Sequence, residues 1–210
     1  MTDTAPDPHP PGPGLRERLF DPFTYVAGAR SLALGLAAIM LAGFVGSFSN
    51  THFDGVLDAH TGVPARLPLF LGEGLVNWLC AATVLFVMGK LASRTAFRAI
   101  DLFGTQAMAR WPSAITAVLA LAPPYQRYLV AVTRSLMSKG RMPAAPATEV
   151  AVFAVVLLGA IMAAVWMVWL MYRSYSTCCN IRGAAAVGTF IAGLLVAEAA
   201  SKLILFDRAG

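Results

Sequence analysis

The residues best suited to chemistry are concentrated in one short stretch, Asn50-Thr51-His52-Phe53-Asp54-Gly55-Val56-Leu57-Asp58-Ala59-His60. His52, Asp54, Asp58 and His60 place two imidazoles and two carboxylates within nine residues, the nitrogen and oxygen donors that a divalent cation takes. They lack the spacing of an established metal site, and Gly55 and Gly62 point to a bent surface loop. A plain polar connection between two helices is the simpler reading. Three further ionisable residues lie inside apolar sequence. Glu198 and Lys202 are four apart, so they meet on one side of a helix, and Lys202 can draw the pair toward the headgroups. Glu73 sits one turn inside another apolar run. Charges within a membrane are costly and mark ion or proton paths by default. Glu73, Glu198 and Lys202 would therefore form a polar site if the fold brought them together; pairing at the membrane interface is the alternative.

The elements that must position these residues are helices in lipid. Ser31–Phe53 and Val150–Tyr172 are each 23 residues without a charged side chain, and about 20 apolar residues make a helix that crosses the hydrocarbon. Leu67–Met88 and Gly183–Phe206 form two more spans. The composition agrees, 58% hydrophobic and 13% charged, outside the range of ordinary soluble domains. Trp111–Ala122 is uncharged but only twelve residues long, with Pro112 at its start and Pro123-Pro124 after it. It crosses by borrowing Leu102–Ala109, or it dips in and returns, or it lies flat. The expected fold is all-α, a polytopic membrane helical bundle of about five transmembrane helices with the third short or broken, four full spans being the alternative.

Charge placement bears on that choice. With five spans and an internal N-terminus the basic residues divide almost evenly between the two sides; with four, all but three fall inside. The positive-inside rule alone thus favours four. Lys90, Arg94 and Arg98 recur at every fourth position and share one helical face, with Arg110 following in the same basic stretch. That is the pattern of a helix along an anionic membrane surface, or equally of a solvated helical linker. Residues 1–24 are expected to form a Pro-rich, disordered cytoplasmic tail ending in a short interfacial helix that stops at Asp21-Pro22. Residues 25–206 form the bundle and 207–210 a short tail. The tail does not have the basic start and early apolar core of a signal peptide.

Other classes find little support. No basic-aromatic platform or groove-reading motif accompanies the net charge of +5, which excludes nucleic acid as a partner. Cys80, Cys178 and Cys179 have neither disulfide nor zinc spacing. Phosphate loops, nucleophile elbows and paired acid/base constellations are absent, so neither an enzyme nor a cofactor is expected, a hydrolase built on the His52 loop ranking last. Small residues recur at every fourth position in the last span, Ala185, Thr189, Gly193, Ala197 and Ser201, and in the first, Ala38, Ala42 and Gly46. Such stripes let helix backbones approach, within the molecule or in self-association. Membrane lipids, and possible contacts with other membrane proteins, complete the expected partners.

Several segments resemble bacterial members of the Yip (Ypt-interacting protein) membrane-domain family. These are Asp21-Pro22-Phe23, the Asn50–Asp58 loop, Phe103-Gly104-Thr105-Gln106-Ala107 ahead of Ala109-Arg110-Trp111-Pro112, and Cys179-Asn180-Ile181-Arg182-Gly183. The resemblance covers about residues 20 to 206. It implies about five membrane helices with a cytosolic N-terminus in the bacterial inner membrane, and a non-enzymatic scaffold or membrane-organising role. Transport of a small solute or ion through Glu73, Glu198 and Lys202 is the competing class. Eukaryotic relatives bind Rab-type GTPases and carry an Asp-Leu-Tyr-Gly-Pro motif before the first span, which this chain lacks; Asp101-Leu102-Phe103-Gly104 comes after the second. Rab binding is not implied. The family's five spans, set against the charge count, place the C-terminus outside.

Overall fold

In a bilayer a backbone amide finds no partner but another backbone group, so long apolar runs close their hydrogen bonds locally as helices. The computed structural model describes residues 14–138, 140 and 144–206; the expectations for the Pro-rich tail before Gly14 and for 207–210 lie outside them. A short helix α1 (Leu15–Phe20) leads into α2 (Gly28–Ser49), α3 (Leu67–Ala92), α4 (Ala99–Met108), α5 (Pro112–Leu119), α6 (Pro123–Met137), α7 (Ala147–Cys179) and α8 (Gly183–Phe206). Four of these, α2, α3, α7 and α8, are long and apolar enough to cross a membrane. Val155, Met162 and Val165 on α7 are each about two-thirds exposed, a surface suited to lipid and not to water.

Element boundaries follow local chemistry. The first apolar run extends to Phe53, but α2 stops at Ser49 because Asn50 adopts the left-handed conformation and bonds back to the Gly46 carbonyl, a common helix stop. Asn180 ends α7 in the same way. The chain after Asn50 forms a two-rung antiparallel ladder, Thr51 opposite Thr61 and His52 opposite His60. α1 ends at Asp21 before Pro22 and is tied to α7: Trp166 and Trp169 donate to the Leu19 and Phe20 carbonyls at 3.1 and 3.2 Å, and Arg173 pairs with Asp21. α7, with 33 residues, is about 50 Å long. It outreaches the hydrocarbon, and its last turns hold α1.

The basic face inferred from Lys90, Arg94 and Arg98 is corrected: α3 ends at Ala92, and 93–98 is not helical. Ser93 breaks the helix by turning its hydroxyl to the Thr95 and Cys179 carbonyls at 3.0 and 2.6 Å. Lys90 lies over the Phe97 ring, 4.5 Å from its centre. Arg98 donates twice to Asp101 at 2.9 Å, bonds that raise its guanidinium above the usual range.

The third stretch traverses the bundle in two pieces. The Ser93–Cys179 bond puts the end of α3 beside the end of α7, so α7 begins at the opposite end and α4–α5 must carry the chain there. α4–α5 runs antiparallel to α7. Thr105 Oγ1 is 2.7 Å from Ser174 Oγ, the Trp111 and Trp166 rings are 4.5 Å apart, and Leu119 lies against Gly159. Pro112 lacks an amide hydrogen, so the chain tightens into a one-turn 3₁₀ passage in which Arg110, Trp111 and Ser113 each bond three residues back. From Ala99 to Leu119 the two pieces reach about 30 Å, the hydrocarbon thickness. α8 returns to the loop end, where Lys202 meets Asp58. Four helices thus have the length and apolarity of full spans, and α4–α5 runs between them from one end of the bundle to the other. The charge count treats Arg110 as a flank although it is buried, 5% exposed, and Arg127 of α6 sits beside the start of α7, on Glu149 at 2.9 Å.

Close packing of α4 rests on Gly35. A Cβ there would collide with the backbone of Ala107 and Met108, so α2 and α4 touch backbone to backbone as membrane helices do at small residues. In α8, Gly193, Ala197 and Ser201 are buried, Thr189 is half-buried beneath the Tyr175 hydroxyl at 3.0 Å, and Ala185 is exposed. Ala186, Phe190 and Leu194 complete the buried face. A stripe at every fourth residue drifts about 40° per step, so five positions cannot all face one neighbour.

Candidate functional site

At the loop end, the intramembrane charges and the polar loop come together. Glu73, nearly two turns inside α3 and 5% exposed, has both carboxylate oxygens engaged. Oε1 lies 2.7 Å from His52 Nδ1 and Oε2 accepts the Phe53 amide at 2.9 Å. His52 Nε2 is 2.9 Å from the Val63 carbonyl. A carbonyl only accepts, so Nε2 carries its hydrogen, and Nδ1 and Oε1 share one further proton between them. Phe70 stacks on the imidazole at 4.4 Å, and the Asn77 amide donates to the Phe53 carbonyl. The first half of the loop is thus fastened to α3.

Glu198 and Lys202 fasten the second half to α8. Glu198 Oε2 accepts the Leu57 amide at 2.9 Å, and Lys202 Nζ bridges Asp58 at 2.7 Å and Glu198 Oε1 at 3.3 Å. Gly55 leaves room here, since a Cβ would press on the Glu198 carboxylate and displace it. Val56 beside it, 1% exposed, belongs to the buried core shared with residues of α3, α7 and α8. The three intramembrane residues do not form one site. Glu73 and Lys202 border a common cleft beside His52 and Leu203, which Glu198 does not line.

Of the candidate metal donors, Asp54, Asp58 and His60 bring ligand atoms within 4.8 Å of one another. His60 Nδ1 is 3.2 Å from Asp54. His52 is not among them, being held by Glu73, and Asp58 already has a cation in Lys202. The cysteines of the described residues are free thiols.

Arg110 is the residue the sequence reading misplaced, by grouping it with the basic flank. It stands inside the bundle, lining a cavity whose wall also includes Ile39 from midway along α2, and donates through Nη2 to the Asn77 carbonyl at 3.1 Å. Its buried Nε has no partner, and among the described residues no carboxylate lies within ion-pairing distance of it. A signal was present: Leu102–Ala122 contains no other ionisable side chain. The signal for His52–Glu73 was the helical hairpin itself, which returns both ends of the 50–66 loop to one membrane face. Compared with family models, curated proteins and solved structures, the chain matches none.

Proposed function

We infer that the chain is a non-enzymatic, membrane-organising scaffold of the Yip-like type, residing in the bacterial inner membrane with its N-terminal segment cytosolic. The observation that carries this reading is the use made of the intramembrane charges. Glu73 and Glu198 commit their oxygens to loop amides, to His52 and to Lys202, and Lys202 bridges to Asp58. A transporter leaves such groups free to take and release an ion near the midplane; here they hold a lid over one end of the bundle. The course of α4–α5 along the bundle, between the four long helices, also fits the resemblance. Proton and cation flux into proteoliposomes carrying the purified chain tests the reading. Flux equal to that of empty vesicles is expected. A proton-coupled flux abolished by Glu198→Gln or Glu73→Gln overturns the scaffold in favour of transport.

A further inference from the structure

The unpaired charge of Arg110 faces a cavity. About 220 Å³ in volume, it lies under the loop between α2, α5 and α7. Ser113 and Thr116, one and two turns beyond Arg110, share its wall, and the rest is largely apolar. A guanidinium offers five N–H donors in a planar fork, and Arg110 spends one on Asn77. Burying such a charge without an anion is strongly unfavourable. The carboxylate whose field reaches it, Glu198, has both oxygens engaged by Leu57 and Lys202. The site is short of one negative group.

The shape of the cavity selects the kind of anion. Its volume suits a headgroup-sized oxyanion with a few methylenes, below the range for whole small-molecule ligands. On the water side the roof is loop, with Val56 buried and Asp58, paired with Lys202, at the rim, so the direct path from water is covered. On the lipid side the wall includes Leu157 and Ile161, 45% and 52% exposed, so a chain can leave between helices into the bilayer. We propose that this cavity binds the phosphate or carboxylate head of a single-chain-like anionic amphiphile, with Arg110 gripping the oxyanion through its free N–H groups and the acyl chain passing Leu157 and Ile161 into the membrane. The site is independent of the scaffold reading, since a transporter could hold such a ligand equally well.

Thermal unfolding of the full chain in a neutral maltoside detergent tests this with three probes: dodecyl phosphate, inorganic phosphate and dodecanol. Dodecyl phosphate is expected to raise the midpoint saturably in the wild type, the other two leaving it unchanged at equal concentration. Arg110→Gln should weaken the dodecyl phosphate effect on the order of tenfold or more, the scale of lost hydrogen bonds to a charged group. Equal stabilisation by inorganic phosphate overturns the amphiphile in favour of a soluble anion. Equal stabilisation of Arg110→Gln by dodecyl phosphate overturns the site. A measurement on the wild type alone covers the case in which that variant fails to fold. A diazirine-bearing alkyl phosphate is expected to label α7 around Leu157–Ala164, competed by dodecyl phosphate, whereas labelling spread evenly over lipid-facing helices overturns the assignment.

Discussion

Glu73 illustrates how a single carboxylate can be structural without being inert. Its two oxygens serve two different partners, an imidazole and a backbone amide, and these partners respond differently to substitution. Glu73→Gln can satisfy both: its amide nitrogen donates to His52 Nδ1, with the imidazole hydrogen remaining on Nε2, and its oxygen accepts from Phe53. Glu73→Ala orphans both buried groups, at roughly 1–3 kcal/mol each. Thermal unfolding in detergent should therefore rank the wild type and Glu73→Gln close together, with Glu73→Ala well below. Equal loss in the two variants would refute the bonding scheme. At this scale the sequence was only partly legible. It pointed to His52, Asp54, Asp58 and His60 as a group, because proximity along the chain was the available measure. The fold divided them, His52 going to α3 while the other three stayed at the rim. Arg110 was hidden by the habit of assigning a lone arginine to the nearest basic flank.

Elements were easier to read, and their ends harder. The last span, Gly183–Phe206, was read with the boundaries it has, since Asn180 and Gly183 punctuate its start. The third stretch resisted because Pro112 and Arg110 interrupt the apolar run on which span-finding depends; neighbouring helices supply what the run lacks. α2 makes that possible through Gly35. Gly35→Ala is expected to force α2 and α4 apart and lower the unfolding midpoint by several degrees, whereas Gly188→Ala, where a Cβ meets nothing within 4 Å, should leave it level or slightly raised through helix propensity. Comparing the two variants in one detergent separates packing from propensity. A Gly35→Ala midpoint no lower than that of Gly188→Ala would mean that the close approach is not needed.

For the whole molecule, the course of α4–α5 along the bundle has a direct consequence: the start of α2 and the end of α8 lie at opposite ends, and the C-terminal end of α8 shares its side with the 50–66 loop. Paired reporters fused after Gly210, one active only in the cytoplasm and one only beyond it, should report the same side as reporters placed in that loop, and the opposite side from the 93–98 linker. A C-terminal signal on the linker side would restore the four-span arrangement favoured by charge counting. That rule counts residues along the chain, and here a buried arginine was counted as an ordinary flank.

The bond between Leu57 and Glu198 joins positions 141 residues apart, and it sets an order of events during synthesis. The loop leaves the ribosome early, between the first two long helices, yet the residues that latch its second half belong to the last helix made. Until α8 arrives, Val56 has no α8 surface to bury against and Leu57 no carboxylate to meet. The second half of the loop is therefore latched only once Glu198 and Lys202 are in place, whereas the first half, held by Glu73 and Asn77, needs only α3.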